Sequence, residues 1–134
     1  MEFGKLSLPS PSQLKGSSAE SEAEKFLLSQ GLKKISRNYH CPYGEIDLVM
    51  CAGRELIFVE VRHRTHSDFG DPAATVSKHK QQKIIKTALH FLQNRPEYSE
   101  FGCRFDVVGI GSDADSVQKL NWIRDAFQTE VSNS

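Results

Sequence analysis

The stretch GEIDLVMCAGRELIFVEVRHR, residues 44–64, predicts two β-strands joined by a short turn that contains Gly53. Acidic residues, Asp47 and Glu60 among them, interrupt its otherwise apolar runs. Carboxylates inside a sheet are costly unless they are paired, hydrogen-bonded or bound to a cation. These two carboxylates therefore need a partner, and they are the first candidates for a functional site.

The two-residue period of a strand decides which side chains share a face. Asp47 shares a face with Glu45 in the first strand, and Glu60 shares a face with Arg62 in the second. A two-residue loop at Ala52-Gly53 would place Asp47 diagonal to Glu60, whereas a four-residue loop would place them directly opposite. Opposite Cβ atoms lie about 4.5–5.5 Å apart, so two anions there repel unless a cation lies between them. Mg²⁺ fits this position, with Mn²⁺ as a second candidate, because Mg²⁺ binds one or two carboxylates together with waters and phosphates.

Ordered motifs follow one another along most of the chain, from about Gly16 to Phe127. They are Gly16-x-x-Ala19-Glu20-x-x-Ala23-x-x-Phe26-Leu27, Arg37-Asn38-Tyr39, Gly44-Glu45-Ile46-Asp47-Leu48, Phe58-Val59-Glu60-Val61-Arg62-x-Arg64, Lys80 and Arg104-Phe105-Asp106-Val107-Val108. They resemble the core of the PD-(D/E)XK nucleases and, more closely, the YraN-like family of bacterial endonuclease-like proteins. The resemblance implies a restriction-endonuclease-like α/β fold, with three α/β/α layers built around a central mixed sheet.

The same resemblance implies roles for individual residues. Asp47 and Glu60 would be metal ligands, together with the backbone carbonyl of Val61. Glu20 would be a supporting catalytic carboxylate supplied by the first helix. Without the resemblance, Glu20 is interpreted as a surface glutamate that complements the dipole at a helix N-terminus.

Arg62 departs from the nuclease pattern, which has lysine two residues after the glutamate. A lysine there can bind phosphate and, with its pKa lowered by burial, can help to deprotonate the attacking water. Arginine stays protonated, so Arg62 would bind phosphate but would be a poor base. Water activation would then come from the metal or from Lys80. We predict that Arg62, Arg64 and Lys80 bind nucleic acid and that Arg62 also belongs to the catalytic set.

Composition indicates one domain with a single core, since the chain has 134 residues and 38% hydrophobic content. We place that domain at residues 16–128, between a flexible extension at 1–15 and a flexible tail at 129–134. Lysine plus arginine equal aspartate plus glutamate at 17 each. The charge is nevertheless uneven, because residues 61–90 hold the basic side chains Arg62, Arg64, Lys78, Lys80, Lys83 and Lys86 against Asp68 and Asp71. A local patch of this kind can bind phosphate in a neutral chain.

The predicted elements are two main helices and a set of strands. They comprise a helix from Ser17 or Ser18 to Gly31, strands near 34–40, 45–51 and 55–63, a helix from Ser77 to about Asn94, a buried strand at 103–110, an edge strand at 117–123 and a short helix near 125–127. Residues 65–72 and 113–115 are predicted as a loop and a turn. His63, His66, Asp68 and Asp71 are a weaker alternative set of metal ligands, and Asp106 is interpreted as a structural charge paired with Arg104 or Lys119.

The cysteines and the hydropathy pattern bear on location. Cys41, Cys51 and Cys103 are odd in number and lack a Cys-x-x-Cys spacing, which favours free thiols in a reducing compartment. The sequence has no apolar run long enough to span a bilayer and no signal-peptide core at its start. We therefore expect a cytoplasmic protein without a membrane association.

Three functional hypotheses remain open on this basis. The first is a Mg²⁺-dependent nuclease that hydrolyses phosphodiester bonds, and the second is a nucleic-acid-binding module of nuclease-like fold with weak or no catalysis. The third treats Asp47, Glu60 and Arg62 as a structural ion network. The expected partner is nucleic acid, with DNA favoured over RNA and a homodimer left open. Tyr43 and Phe69 are isolated candidates for base stacking.

Overall fold

The computed structural model describes residues 11–64, 76–112 and 118–129. Its elements, in chain order, are α1 (Pro11–Ser29), β1 (Lys33–Cys41), β2 (Gly44–Ala52), β3 (Glu55–Arg64), α2 (Lys78–Gln93), a 3-10 turn (Pro96–Tyr98), β4 (Gly102–Ser112) and β5 (Gln118–Phe127). No helix in the part of the chain that the structure describes is long and apolar enough to cross a membrane.

The five strands form one mixed sheet in the order β1-β2-β3-β4-β5. All neighbouring pairs are antiparallel except β3 and β4, which run parallel. A parallel pair needs a crossover connection, and the chain between β3 and β4 includes α2. α1 packs on one face of the sheet and α2 on the other. The predicted three-layer α/β/α arrangement with a central mixed sheet is therefore confirmed.

α1 packs through an apolar stripe in which Ala19, Ala23 and Leu27 are buried at four-residue spacing. It ends in a Schellman motif, because the Leu32 N–H reaches the Leu27 carbonyl at 3.2 Å and Gly31 takes the positive φ of 95° that this cap requires.

The start of α1 differs from the prediction. α1 begins at Pro11, earlier than the predicted start at Ser17 or Ser18, and proline is well suited to a first helical turn. Glu20 consequently lies in the middle of α1 and not at its N-terminus. The domain limits at 16–128 stay a prediction.

α2 follows the predicted bounds closely. Ser77 caps it by accepting a hydrogen bond from the backbone N–H of Lys80, and Asn94 follows its last turn. Its buried face includes Phe91, which packs edge-on against Phe58 of β3 at a ring distance of 5.9 Å. Through this contact α2 is fixed against the centre of the sheet.

The predicted short helix near 125–127 is wrong, because β5 continues to Phe127. Phe127 pairs with Phe105 of β4 and stacks on its ring at 5.1 Å. Asp125 takes a positive φ of 54°, and the β4–β5 register shifts between Phe105 and Val107. This irregularity keeps the end of β5 in the sheet, so tertiary pairing overrides the local pattern.

Several predictions fall on residues that the structure does not describe. The loop at 65–72, with His66, Asp68, Phe69 and Asp71, lies outside the described residues, as does the turn at 113–115. The same holds for residues 1–10 of the predicted extension and for 130–134 of the predicted tail.

Candidate functional site

The β2–β3 hairpin sets the relative position of the two key carboxylates. Its ladder extends from a turn over residues 53–54 to the pair Leu48 and Val59. Asp47 and Glu60 are the next residues beyond this last pair. The ladder has the register that we expected from a four-residue loop, although it closes over only two residues.

Asp47 is a half-buried carboxylate surrounded by other acids. Its Oδ2 atom accepts a hydrogen bond from the backbone N–H of Val61 at 2.8 Å. The pKa of Asp47 is raised from 3.8 to about 8, first by burial and then by the nearby Glu60 carboxylate. The hydrogen bond from Val61 lowers the pKa, whereas Glu20 and Glu45 raise it further. Three acidic side chains are thus close enough to Asp47 to interact with it electrostatically.

Glu60 is buried, with 7% of its surface exposed, but it has cationic partners. Its Oε2 atom lies 3.3 Å from Nη1 of Arg62 on the same strand and 3.5 Å from Nζ of Lys80 in α2. The Lys80 side chain is 44% exposed, so its ammonium group also has access to solvent. The crossover helix therefore brings a second cation to the predicted Glu60–Arg62 pair.

Glu20 and Glu45 each have a partner of their own at the edge of this group. The Nε atom of Arg37 in β1 lies 3.9 Å from Oε1 of Glu20, and another of its nitrogens donates to Ser21 at 3.0 Å. Nε2 of His40 lies 2.7 Å from Oε1 of Glu45. Both acids are therefore held near Asp47 by residues of β1.

Asp106 is the contrasting case in the same sheet. It is 1% exposed, and its carboxylate accepts hydrogen bonds from the guanidinium of Arg104 at 2.9 and 3.2 Å, from the indole N–H of Trp122 at 2.8 Å and from the backbone N–H of Asp125 at 2.9 Å. Arg104 also donates to Glu55 at 3.1 Å. The interpretation of Asp106 as a structural charge paired with Arg104 is confirmed.

The oxygen donors at this site fit a hard divalent cation. Asp47 and Glu60 offer facing carboxylates, and a carboxylate has more acceptor positions than the one Val61 hydrogen bond uses on Asp47. The described residues include no group of three or more His, Cys, Asp or Glu side chains that could hold a metal ion. Mg²⁺ needs fewer, since one or two carboxylates with waters and phosphate oxygens complete its shell. This donor set therefore suits Mg²⁺ and Mn²⁺ better than Zn²⁺.

The predicted site residues are largely brought together. Asp47, Glu60, Arg62 and Lys80 cluster at the hairpin and the start of α2, and the backbone of Val61 contacts Asp47. Glu20 is close enough to affect the pKa of Asp47. Arg64 ends β3, and its side chain falls outside what the structure describes. Whether the Val61 carbonyl is a ligand stays a prediction.

Sequence reasoning did not assign site roles to Glu45, Arg37 or His40. The two-residue spacing from Asp47 is the signal that could have added Glu45 to the set. Arg37 contacts Glu20 across the α1–β1 connection, and local periodicity gives no sign of that contact.

Comparison with known proteins identifies relatives over most of the chain. The family model described as "Uncharacterised protein family UPF0102" matches residues 19–110. A UPF0102 protein of Methylobacillus flagellatus is 49% identical over 113 residues, which are 84% of this chain and 95% of that protein. A UPF0102 protein of Saccharophagus degradans is 48% identical over 112 residues, and one of Alcanivorax borkumensis is 44% identical over 115 residues. These matches cover 84% and 86% of this chain, and 91% and 92% of the two relatives.

A solved structure, Pyrococcus furiosus SfsA in complex with Ca²⁺, has a TM-score of 0.37 and 16% identity to this chain. The alignment covers 84% of this chain and 63% of that one, and at this distance we draw nothing from it. The family match and the relatives confirm the predicted relationship. The chain belongs to the UPF0102 family.

Proposed function

We propose that this protein is a nuclease that uses a divalent cation to hydrolyse phosphodiester bonds in nucleic acid, with DNA as the first substrate to test. One observation carries the proposal: Asp47 and Glu60 lie just beyond the last pair of the β2–β3 ladder and interact, and the cations Arg62 and Lys80 lie beside Glu60. Acidic oxygens next to basic groups are the combination needed to bind a metal ion and a phosphate at one place.

The carboxylates would hold the metal. Asp47 is an acid whose charged form the fold disfavours, since its pKa is raised to about 8 by burial and by neighbouring acids. A cation bound between Asp47 and Glu60 would remove that penalty, whereas Glu20 and Glu45 would strengthen the negative potential around it. When bound, Mg²⁺ or Mn²⁺ would supply Lewis-acid chemistry to a phosphate oxygen and a water molecule.

The basic residues would position the phosphate. Arg62 stays protonated and can donate to two phosphate oxygens, so it would stabilise negative charge in the transition state without accepting a proton. Lys80 is partly exposed and lies 3.5 Å from Glu60, so its ammonium group is free to turn from Glu60 to an incoming phosphate. Arg64 completes the proposed set from the end of β3.

A second candidate function is a nucleic-acid-binding module that turns over poorly or not at all. Arg62 favours it specifically, because an arginine keeps the ability to hold phosphate while it lacks the ability to act as a base. In that case binding falls steeply with added salt, needs no metal and leaves the substrate uncut.

Cleavage of labelled single-stranded and duplex DNA in Mg²⁺ or Mn²⁺ tests the two functions. We expect cutting by wild type and a loss of at least about a hundredfold in Asp47→Asn and in Glu60→Gln, since each change removes a ligand charge. Glu97→Gln is the control, because Glu97 is exposed and pairs with Arg95 in the 3-10 turn, away from the carboxylate site. Equal cutting by Asp47→Asn and wild type would rule out the nuclease, whereas metal-independent binding without cutting would establish the second function.

A further inference from the structure

One face of α2 continues away from the carboxylate site toward the β1–β2 turn. Lys80, Lys83, Thr87 and His90 share this face because they follow one another at intervals of three and four residues. Lys80 contacts Glu60 at the site end. At the other end, the ring of His90 lies 6.2 Å from the ring of Tyr43 in the turn, measured between centroids. We call these residues, Tyr43 included, the α2 strip.

The β1–β2 turn packs closely on the middle of the α2 strip. A Cβ placed on Gly44 would lie 3.3 Å from Oγ1 of Thr87 and 3.9 Å from Cβ of Lys83. Lys83 is itself exposed, so its ammonium group is presented to solvent beside the turn. A basic side chain therefore lies between the carboxylate site and the aromatic end of the strip.

Tyr43 gives the far end of the strip an exposed aromatic face. It is 51% exposed, so its ring is accessible to a ligand in solution. His90 supports it edge-on and is in turn held by the hydroxyl of Tyr39, at 2.6 Å from its Nδ1 atom. In the sequence Tyr43 is an isolated aromatic, and only the fold places His90 and Tyr39 beside it.

The length of the strip suits a few nucleotides. The helix rises about 1.5 Å per residue, so Lys80 and His90 are separated by about 15 Å along the axis of α2. Successive phosphates of a stacked strand advance about 3.4 Å, so about four nucleotides would cover that distance. An exposed aromatic ring can stack only on a base whose face is free, which a paired and stacked base inside a duplex does not offer.

We propose that the α2 strip binds a single-stranded segment next to the carboxylate site, with its phosphates on Lys83 and one base stacked on Tyr43. The substrate class is then nucleic acid with an unpaired segment adjoining the cut, which deepens the proposed function and rests on it. The opposite side of α2 has a different character. There Lys78 lines an apolar groove with Ile85 and Leu89, so it provides a matched lysine away from the strip.

The test compares binding of a fluorescein-labelled oligothymidylate with binding of a blunt duplex of the same length, followed by fluorescence anisotropy. The proteins are wild type, Tyr43→Ala, Tyr43→Phe, Lys83→Ala and Lys78→Ala, each checked for folding by circular dichroism. Ca²⁺ replaces Mg²⁺ because it takes the same type of oxygen ligand and is expected to slow cleavage. Tyr43→Phe keeps the ring, and Lys78→Ala removes the same charge from the other side of α2.

Tyr43→Ala should weaken oligothymidylate binding about tenfold and duplex binding less than about twofold, while Tyr43→Phe stays near wild type. Lys83→Ala should weaken oligothymidylate binding several-fold more than Lys78→Ala. Equal losses on both substrates for Tyr43→Ala, or equal effects of the two lysine changes, would overturn the inference.

The outcome is distinguishable from that of the nuclease proposal. Cleavage that is lost in Asp47→Asn but unchanged in Tyr43→Ala would overturn the binding role of the α2 strip and leave the nuclease proposal in place. Binding that needs Tyr43 without any metal-dependent cleavage would retain the strip and reject the nuclease. Absence of binding to either substrate at low salt would overturn both.

Discussion

At the scale of single residues, two aspartates in one sheet show how neighbours decide whether a buried charge is structural or chemically available. Asp106 receives hydrogen bonds from Arg104, Trp122 and Asp125, which together satisfy both of its oxygens. Asp47 receives one from the backbone of Val61 and is otherwise acted on by carboxylates that raise its pKa. The first arrangement stabilises the fold, whereas the second leaves a carboxylate that a cation would stabilise.

The raised pKa of Asp47 predicts a pH-dependent stability in metal-free buffer. Its pKa in the folded state, about 8, exceeds the ordinary value of 3.8, so the folded protein binds this proton more tightly than the unfolded chain. The contribution of Asp47 to stability is therefore complete below about pH 4 and is lost as the pH rises to about 8. Asp47→Asn removes this loss. The free energy of unfolding of the variant, relative to that of wild type, should therefore rise between about pH 4 and about pH 8 by an amount on the order of a few kcal/mol.

Urea unfolding in EDTA at a series of pH values measures this difference. At about pH 8, saturating Mg²⁺ should make wild type more stable than Asp47→Asn, because only wild type retains both carboxylates to bind the metal. A difference between the two proteins that does not vary with pH would show that Asp47 is not the strained acid described above.

Asp106→Asn should behave in the opposite way. The change removes the charge that balances Arg104 and leaves at least one buried donor poorly satisfied. We therefore expect the free energy of unfolding to fall by roughly 2–4 kcal/mol. The loss should be the same with and without Mg²⁺ in urea unfolding. If Asp106→Asn were as stable as wild type, the network around Asp106 would not be structural.

The sequence was sufficient to predict the facing carboxylates but not all of their partners. Asp47 and Glu60 could be placed on one face because a strand has a fixed period of two, but the sequence left two registers open, one for each loop length. The Trp122 and Asp125 donors to Asp106 come from β5, where pairing depends on tertiary contacts. Lys80 could be named as a candidate, but its distance from Glu60 depends on where the crossover helix begins.

At the scale of secondary-structure elements, the β1–β2 turn and α2 are fitted together through a glycine. Gly44 has a backbone φ of 149°, which residues other than glycine rarely adopt. It also lies against Thr87 of α2. Gly53, in the β2–β3 turn, also has a positive φ, of 61°, but has open space around it. Gly102 has neither constraint.

These three glycines form a graded series of alanine substitutions. Gly44→Ala should cost about 2–3 kcal/mol, because it combines backbone strain with a contact that forces the turn away from α2. Gly53→Ala should cost about 1 kcal/mol from its backbone conformation alone, and Gly102→Ala should be close to neutral. Chemical unfolding of the three variants measures the series, and equal costs at Gly44 and Gly53 would contradict the proposed packing of the turn on α2.

The elements themselves were predicted to different degrees. α2 could be bounded within about a residue because Ser77 and Asn94 are strong cap residues in the sequence. The end of β5 was predicted as a helix, since residues 125–127 lack a strand period of their own. Their strand conformation depends on the bulge at Asp125 and on stacking of Phe127 against Phe105, and both are contacts with a distant strand.

At the scale of the whole molecule, the crossover between β3 and β4 puts basic and acidic groups at one place in a chain of zero net charge. The crossover helix α2 carries Lys80 to Glu60 on one of its sides and Lys78 and Lys86 to an apolar groove on another. The strand order and the placement of α2 therefore create a local cluster of charged groups that overall composition conceals.

Salt dependence of DNA binding distinguishes the two sides of α2. Lys80→Met should weaken duplex binding and reduce the slope of log affinity against log salt by about 1, because one phosphate contact is lost. Lys78→Met removes an equal charge near the same helix end but on the side of the groove, and it should leave the slope nearly unchanged. Equal slopes for the two variants would mean that phosphate binding is spread over the surface and is not focused at the site.

The most direct test of the account is calorimetric titration of Mg²⁺, and then of Mn²⁺, into wild type and into the double variant Asp47→Asn/Glu60→Gln, with and without a short duplex. Wild type should bind the metal, and should bind it more tightly when the duplex supplies phosphate oxygens. The double variant should not bind it. Equal binding by both proteins, or no binding by wild type even with the duplex, would contradict the claim that these two facing carboxylates form a metal site.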